Sequence, residues 1–328
     1  MNRLRFVSGA AFGAASLLGS RRAARAADLT EVTAGFFPGA SSWPLYAARD
    51  WGLFEQAGLY VALAATPSSA ELFARLDAGT YDLAHTSIDN PLAYDVGAGA
   101  VSTANRDFVG FFGVDDGELS LLAKPGITSI RMLAGKTLAV DALSTGYAFA
   151  LREMLASAGL GPSDVTFVAK GGTAGRAAGL LAGAFDATLV TPPFDFQAVA
   201  AGFVNLGPAT AILGAYAGIS GVARRAWLRS NRRTAIAYLR CYRAALARLA
   251  NDKTAAIALL LSFNPGLSAG DAAKTFAAVF GDHGGFRRDA TIERAGLETV
   301  MRLRAKYAPP GAGADPAAYL DTSILAAS

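Results

Sequence analysis

The sequence predicts an α/β protein of two similar lobes, each a mostly parallel sheet flanked by helices. Short apolar runs alternate with helical segments in two blocks, at about 31–112 and about 130–206, and this alternation is typical of parallel sheets. Six of the apolar runs end in small, hydroxyl-bearing or glycine residues. From Arg224 onward the pattern is mainly helical. Together these observations predict two sheets that face each other across a cleft.

The first block predicts four strands, at 32–37, 59–65, 81–84 and 108–114. Helical segments at about 44–52, 70–78 and 88–96 separate them. Three of the strands end in polar loops, at 38–42, 66–69 and 85–87. Pro44 suits the first turn of the first helix, where its missing N–H costs nothing.

The second block repeats the pattern along the chain. Strands are predicted at 137–140, 165–168 and 187–190, with polar loops at 144–146, 171–173 and 191–193. Helices are predicted at about 147–157, 173–182 and 193–200, and extended segments at 119–123, 204–206 and 211–216. Further helices are predicted at 226–251, at 269–280 and from Asp289 or Thr291 to 306.

The six polar loops together predict a ligand site. In a doubly wound sheet, strands that lead into helices end on the same face. The first turn of each helix there has backbone N–H groups without partners, and these can bind a ligand. Each loop taken alone is more commonly an ordinary helix cap. Six of them in two similar blocks predict a cleft lined by helix N-termini.

The composition excludes several classes of function. The chain has 328 residues, 52% hydrophobic and 17% charged, which is typical of a folded protein. Residues 1–26 contain five arginines and no acidic residue, so the remainder has 25 basic and 26 acidic residues and a net charge of −1. A near-neutral protein lacks the basic surface of a nucleic-acid binder. With one cysteine, Cys241, and two histidines, neither a disulfide nor a structural zinc site is expected.

The N-terminal 26 residues predict a signal peptide and therefore export. Arg3 and Arg5 form a basic start, 6–19 is a short apolar segment, and 24–26 fits an A-x-A cleavage site. The apolar segment is too short to span a bilayer. Because Leu4 separates the two arginines, the general route and a degenerate twin-arginine route both stay open. An ordinary amphipathic or disordered N-terminus is the alternative.

Several motifs, in their order and spacing, resemble the substrate-binding proteins of ABC importers. The similar branch is called SsuA/THI5-like or NMT1-like and is associated with the uptake of nitrate, sulfonates, taurine and thiamine precursors. The resemblance covers about 29–250. It rests on PLYAA at 44–48, GLFE at 52–55, AGL at 57–59, LDAGTYDLA at 76–84, LAGKTLAV at 133–140 and GAFDA at 183–187.

The resemblance implies a two-lobed type II periplasmic-binding fold with its ligand cleft between the lobes. It implies lobe I at 27–112, lobe II at 113–221 and a return to lobe I at 222–328, with crossings near 113–123 and 210–223. It also implies a periplasmic protein that binds a small molecule and has a membrane permease and an ATPase as partners. No catalytic residue, metal or cofactor is implied, and a monomer is expected.

The resemblance places the ligand on the strand-end loops. The implied ligand-binding residues are Ser41, Ser42, Trp43, His85, Thr86 and Ser87 in the first lobe and Ser144, Thr145, Tyr147, Thr173 and Thr191 in the second. Trp43 is expected either to stack on a planar ligand or to belong to the core. His85 is expected either to bond the ligand or to be structural.

The identity of the ligand stays open at this point. Hydroxyls and helix N-termini suit a sulfonate or nitrate, with Lys170 and Arg176 as possible cationic contributors. Asp89, Asp115 and Asp116 would instead suit a cationic or aminopyrimidine ligand. Two other functions are weighed, a ligand sensor that docks on a receptor and a pyrimidine-synthase-like enzyme. The enzyme relatives depend on a cysteine-rich segment, whereas this chain has one cysteine.

Overall fold

The computed structural model describes residues 29–281, 285–308 and 316–328. The predicted signal peptide, 1–26, lies outside the described residues. Among those that are described, no helix is both long and apolar enough to cross a membrane.

Within the described residues, ten strands form two five-stranded sheets. The first sheet has the order β2-β1-β3-β10-β4 and the second has the order β7-β6-β8-β5-β9. The strands are β1 (Thr30–Phe36), β2 (Leu59–Ala65), β3 (Leu83–Ser87), β4 (Phe108–Gly113), β5 (Ser120–Ala123), β6 (Thr137–Val140), β7 (Thr166–Ala169), β8 (Ala187–Val190), β9 (Val204–Pro208) and β10 (Ile219–Arg224).

Helices flank both sheets and form the C-terminal part of the chain. They are α1 (Trp43–Asp50), α2 (Leu53–Gln56), α3 (Ser69–Asp77), α4 (Asp89–Asp95), α5 (Gly146–Ser157), α6 (Thr173–Leu181), α7 (Phe194–Ala200), α8 (Thr210–Leu213), α9 (Arg225–Ser230), α10 (Arg232–Asn251), α11 (Lys253–Phe263), α12 (Ala269–Phe280), α13 (Arg294–Tyr307) and α14 (Ser323–Ala326). Short 3-10 turns occur at Ala40–Ser42, Ile130–Leu133 and Pro316–Tyr319.

One strand in each sheet runs against the others. β10 pairs antiparallel with β3 and β4, and β5 pairs antiparallel with β8 and β9. The chain passes from the first sheet to the second between β4 and β5 and returns between β9 and β10. The prediction of a two-lobed α/β fold with mostly parallel sheets is thereby confirmed.

An aspartate makes the same contact between two neighbouring strands in each lobe. Asp82 accepts a hydrogen bond from the backbone N–H of Thr33 at 2.8 Å, and Asp186 accepts one from Thr137 at 2.9 Å. Both aspartates come from the similar sequences YDLA and FDAT. Each carboxylate joins one strand, β1 or β6, to the start of the neighbouring parallel strand, β3 or β8.

Each lobe has its own apolar core. The long amphipathic helix α10 packs on the first sheet through residues such as Leu239, Leu246 and Leu249. The second core surrounds α5 and includes Leu138, Phe149 and Leu189. Helix α13 joins this second core, because Leu297, Val300 and Leu303 are buried there. That packing differs from the predicted return of 222–328 to lobe I, and the predicted lobe boundaries themselves stay a prediction.

Two predicted segments have a different secondary structure. Residues 211–216, predicted to be extended, include the short helix α8 and a turn at Gly214. The single helix predicted at 226–251 is two helices that meet near Asn231, whose backbone N–H and side-chain amide both donate to the carbonyl of Trp227 at the end of the first helix. Apolar periodicity does not detect such a break, because the buried face continues through it.

Candidate functional site

A cavity lies between the two sheets where the strand-end loops meet. Its empty volume is about 540 Å³, including the part that is open to solvent. The first lobe contributes Phe37, Pro38, Ser41, Thr86, Ser87 and Asn90, and the returning chain contributes Ile219. The second lobe contributes Asp141, Thr145, Tyr147, Gly172, Thr173, Arg176 and Thr191.

Seven of the eleven predicted ligand-binding residues lie on this wall. They are Ser41, Thr86, Ser87, Thr145, Tyr147, Thr173 and Thr191. They come from five of the six loops, and both lobes contribute. Their binding of a ligand stays a prediction, but the structure brings their side chains to one place.

Ser42 and Trp43 do not line the cavity. The Ser42 hydroxyl donates to the carbonyl of Gly39 at 2.8 Å. Trp43 is 1% exposed, and its ring packs against Phe276 and Phe280 with centroid distances of 6.3 and 5.9 Å. The turn at Ala40–Ser42 directs Ser41 to the cavity, whereas Ser42 and Trp43 point into the core. Of the two roles expected for Trp43, the structure therefore shows the core role.

His85 and Ser144 also lie off the wall. His85 is 3% exposed, and its Nε2 lies 3.0 Å from the hydroxyl of Tyr238 in the first core. Burial lowers the pKa of His85 to about 3, so the ring is neutral at physiological pH. Ser144 uses its backbone, because its carbonyl accepts a hydrogen bond from Arg304 at 3.2 Å.

Three buried polar atoms of wall residues have no partner among the described residues. They are Oγ of Ser87, Oδ1 of Asn90 and the hydroxyl of Tyr147. A buried polar atom without a hydrogen bond costs about 1–3 kcal/mol. A polar ligand in the cavity would satisfy these atoms.

Two threonines are arranged to donate hydrogen bonds. Thr86 Oγ1 accepts from Asn90 Nδ2 at 2.8 Å, and Thr173 Oγ1 accepts from Arg176 at 3.3 Å. An accepted bond occupies a lone pair of the hydroxyl and leaves its hydrogen available. Both hydrogens can therefore point to an acceptor in the cavity.

Arg176 places a positive charge at the second-lobe wall. The side chain is 2% exposed, and its guanidinium donates to neutral oxygens of Gly171, Thr173, Thr188 and Leu189. Among the described residues, no carboxylate lies within ion-pair distance of it. Burial lowers the pKa of Arg176, whereas the charge of Asp141 raises it. The guanidinium remains protonated, since an arginine pKa is far above neutrality.

The N-terminus of α6 adds further donors next to this arginine. Gly172 precedes the helix and has no side chain that could cap it. The N–H groups of Thr173 and Ala174 cannot have a partner within the helix. They point along the helix axis together with its positive dipole end, which suits an anion.

The N-terminus of α5, in contrast, is already next to a carboxylate. A Cβ on Gly146 would lie 2.5 Å from Cβ of Asp89. Asp89 forms a two-bond pair with Arg304, with N–O distances of 2.7 and 2.6 Å, and both side chains are fully buried. The protein therefore supplies its own anion near α5, whereas the N-terminus of α6 has no side-chain cap.

Three N–H groups among the described residues donate hydrogen bonds directly from one lobe to the other around the cavity. The N–H of Ala40 donates to the carbonyl of Pro192 at 2.9 Å, and the N–H of Gly172 donates to that of Pro67 at 2.7 Å. The N–H of Ser69 lies 3.3 and 3.4 Å from the two carboxylate oxygens of Asp141. These contacts show a closed arrangement of the two lobes.

Seven wall residues are not among the predicted ligand-binding residues. They are Phe37, Pro38, Asn90, Asp141, Gly172, Arg176 and Ile219, of which Arg176 was a possible cationic contributor without an assigned position. Most of these residues stand within or beside the predicted loops, so their proximity was a usable signal. Among the described residues, no group of three or more His, Cys, Asp or Glu side chains is arranged to hold a metal ion.

The fold and the cleft define a two-lobed periplasmic-binding architecture. The family model of the NMT1-like family matches residues 25–261. The chain therefore belongs to the NMT1-like family. No curated protein matches the chain.

Solved structures share the fold at low sequence identity. The alkanesulfonate-binding protein SsuA from Xanthomonas axonopodis pv. citri, bound to MOPS, has a TM-score of 0.72 and 17% identity, covering 89% of this chain and 98% of its own. The nitrate-binding protein NrtA from Synechocystis PCC 6803 has a TM-score of 0.75 and 14% identity, covering 90% and 87%. A zinc-bound ligand-binding component of an ABC-type import system from Staphylococcus aureus has a TM-score of 0.74 and 14% identity, covering 90% and 98%.

Proposed function

We propose that the chain is the periplasmic solute-binding component of an ABC importer. It captures a small polar or anionic molecule between its lobes and delivers it to a membrane permease driven by an ATPase. Family membership and the binding proteins among the structural neighbours support this role. It acts as an exported monomer, as the sequence predicts.

The main observation behind the proposal is that several hydrogen-bond donors line the cavity, most of them near Thr173. Buried Arg176 has neutral partners, the N-terminus of α6 is uncapped, and the hydroxyls of Thr173 and Thr86 can each donate. These donors favour a ligand group that has several acceptor oxygens, such as a sulfonate or a nitrate. Neighbours named for alkanesulfonate and nitrate binding support this choice.

An enzyme on the same fold is less well supported. Cys241 is buried away from the cavity, and its thiol donates to the carbonyl of Leu53 at 3.3 Å. Burial also raises the pKa of that thiol, which makes it a poorer nucleophile. His85 is buried in the first core. We therefore propose binding without turnover.

A thermal-shift screen tests the proposed function. The probes are methanesulfonate, taurine, nitrate, an aminopyrimidine and an aromatic acid, each compared with sodium chloride at equal ionic strength. A ligand at 100 times its Kd adds about 2.7 kcal/mol to the free energy of unfolding. This corresponds to a rise in Tm of about 5 °C, and the recovered compound should be unchanged.

A matched pair of variants locates the binding. Thr173→Val removes a hydroxyl from the cavity wall and should weaken binding about tenfold. Thr166→Val, on the exposed part of strand β7, is the control and should bind as the wild type does. Turnover of a bound probe would contradict the proposal, and so would a chain that binds none of the probes.

A further inference from the structure

The three hydrogen bonds between the lobes differ in chemistry. Those of Ala40 and Gly172 join backbone to backbone. The third joins a charged side chain of the second lobe, Asp141, to the N–H of Ser69 in the first lobe. Asp141 follows strand β6 directly and also lies on the cavity wall.

Ser69 is the first residue of α3, a helix of nine residues. Its N–H has no partner within the helix. The preceding residue, Ser68, caps the helix with its side chain, but that side chain accepts from Glu71 at 3.2 Å. The N–H of Ser69 is left for Asp141, which places a carboxylate at the positive end of the helix dipole.

Among the described residues, Asp141 forms no ion pair with a lysine or arginine within 4.0 Å. Arg176 influences it electrostatically but directs its hydrogen bonds to four neutral oxygens. The bonds that the carboxylate makes are those to the opposite lobe. If the lobes separate, both of its oxygens lose that donor.

We propose that Asp141 is a closure latch, which caps helix α3 of the opposite lobe when the cleft shuts. This inference rests on the proposed function, because it requires that the lobes open and close around a ligand. The latch favours the closed form before any ligand contact is made. A ligand then needs a smaller preference for the closed form over the open form to make the closed form predominate.

Ser69→Pro is the direct test of the latch. Proline is well accepted at the first position of a helix, and Ser68 before it is extended (φ −157°, ψ 158°), as a residue before proline should be. The variant removes the N–H and places ring carbons where Asp141 approaches. Ser69→Ala is the matched control, because it keeps the N–H and removes a hydroxyl that has no partner among the described residues.

The first measurement is small-angle scattering of the ligand-free proteins. The radius of gyration of Ser69→Pro should exceed that of the wild type, while that of Ser69→Ala should not change. The second is the Kd for the best probe of the thermal-shift screen, which should rise about three- to tenfold in Ser69→Pro, the size expected of a charge at a helix terminus. Equal radii and equal affinities in the two variants would overturn the latch.

Asp141→Ala and the double variant Asp141→Ala/Ser69→Pro complete a mutant cycle. If the two residues act as one contact, the double variant should be no more open than either single variant. Additive effects on the radius would overturn the latch, because they would show that Asp141 and Ser69 act independently. The radius of gyration is measured without a ligand, so the latch can be tested even if no probe binds. If a probe binds but Ser69→Pro changes neither the radius nor the Kd, the latch is wrong and the proposed function stands.

Discussion

At the scale of single residues, Asp89 and Arg304 form the one ion pair in the described part of the chain that has no exposed side-chain surface on either partner. Both side chains are fully buried, and Arg304 also donates to the carbonyl of Ser144 in the second lobe. Its guanidinium carbon lies 5.2 Å from the ring centre of Phe149. One arginine on α13 thus touches the loops that form both cavity walls.

Arg304→Met should destabilise the protein strongly. The variant leaves Asp89 as a buried charge without its partner, which costs about 3–5 kcal/mol and should lower Tm by about 6–10 °C. Asp89→Asn together with Arg304→Met should recover part of the loss, because no buried charge remains. Thermal unfolding followed by circular dichroism measures the change.

The control for this prediction is an exposed ion pair on the same helix. Arg294 and Glu298 are 2.8 Å apart with exposed side chains, so Arg294→Met should leave Tm unchanged within error. Equal Tm values for Arg304→Met and the wild type would contradict the assigned role of the pair.

At the scale of elements, the approach of the α6 N-terminus to the first lobe depends on a missing side chain. A Cβ on Gly172 would lie 2.7 Å from a ring carbon of Phe37 and 3.2 Å from the carbonyl oxygen of Pro67. The backbone of Gly172 itself is in an ordinary extended conformation (φ −65°, ψ 168°). This position requires glycine because there is no room for a side chain between the lobes, and not because the backbone conformation is unusual.

Gly172→Ala should therefore hinder closure without unfolding the second lobe. We expect ligand affinity to fall about tenfold, as for a loss of about 1.4 kcal/mol, with Tm of the free protein lowered little. Gly161→Ala is the control in the same lobe, because its Cβ would meet its nearest atom at an ordinary 3.5 Å. Titration calorimetry with the best probe would reveal the difference, and equal affinities would refute the steric argument.

The strand-end loops could be predicted because their signal is local. Apolar runs, prolines and hydroxyl residues within ten positions locate a strand, a loop and a helix start. Which side chains of a loop face the cavity depends on the rotation of the following helix, which separates Ser41 from Ser42 and Trp43. Asp141 contacts the first residue of α3, which is 72 positions away in the chain, and no local pattern contains that information. Arg176 bonds its own loop and strand β8, and this follows from how the helix packs on the sheet and not from the residue types alone.

At the scale of the whole molecule, the described residues include two half-buried carboxyl groups, Asp115 and Glu118, where the chain crosses between the sheets, and the buried carboxyl group of Asp195, where α7 begins. Burial raises the pKa of Asp115 to about 6 and that of Glu118 to about 7, and neighbouring Asp116 adds to both shifts. Burial likewise raises the pKa of Asp195 to about 6. Asp115 and Glu118 share a second small cavity with Ser41 and Thr191.

These shifts predict that the protein is more stable in mild acid. The folded-state pKa values of the three carboxyl groups exceed their ordinary values of 3.8 and 4.5, so these groups hold more protons in the folded state than in the unfolded state between about pH 4 and pH 7. Buried His85, whose pKa is lowered to about 3, acts in the opposite direction over the same range, but it is one group against three. Stability should therefore be greatest at the low end of this range and fall as the pH rises through 7. Thermal unfolding at pH 5 and at pH 8 should differ by at least about 2 °C.

Glu118→Gln should flatten this pH dependence, because it removes the carboxyl group with the highest of the three pKa values. Its Tm at pH 8 should also exceed that of the wild type. Glu55→Gln, an exposed substitution on α2, serves as the control. A wild-type Tm that rises from pH 5 to pH 8 would show that other groups dominate.

The position of β10 has a consequence for how the chain is assembled during synthesis. β10 lies between β3 and β4, so the first sheet stays divided until residues 219–224 are available. The second sheet is contained within 120–208 and needs no later strand. The lobe whose synthesis begins second can thus complete its sheet first, and the returning strand then joins the two halves of the other.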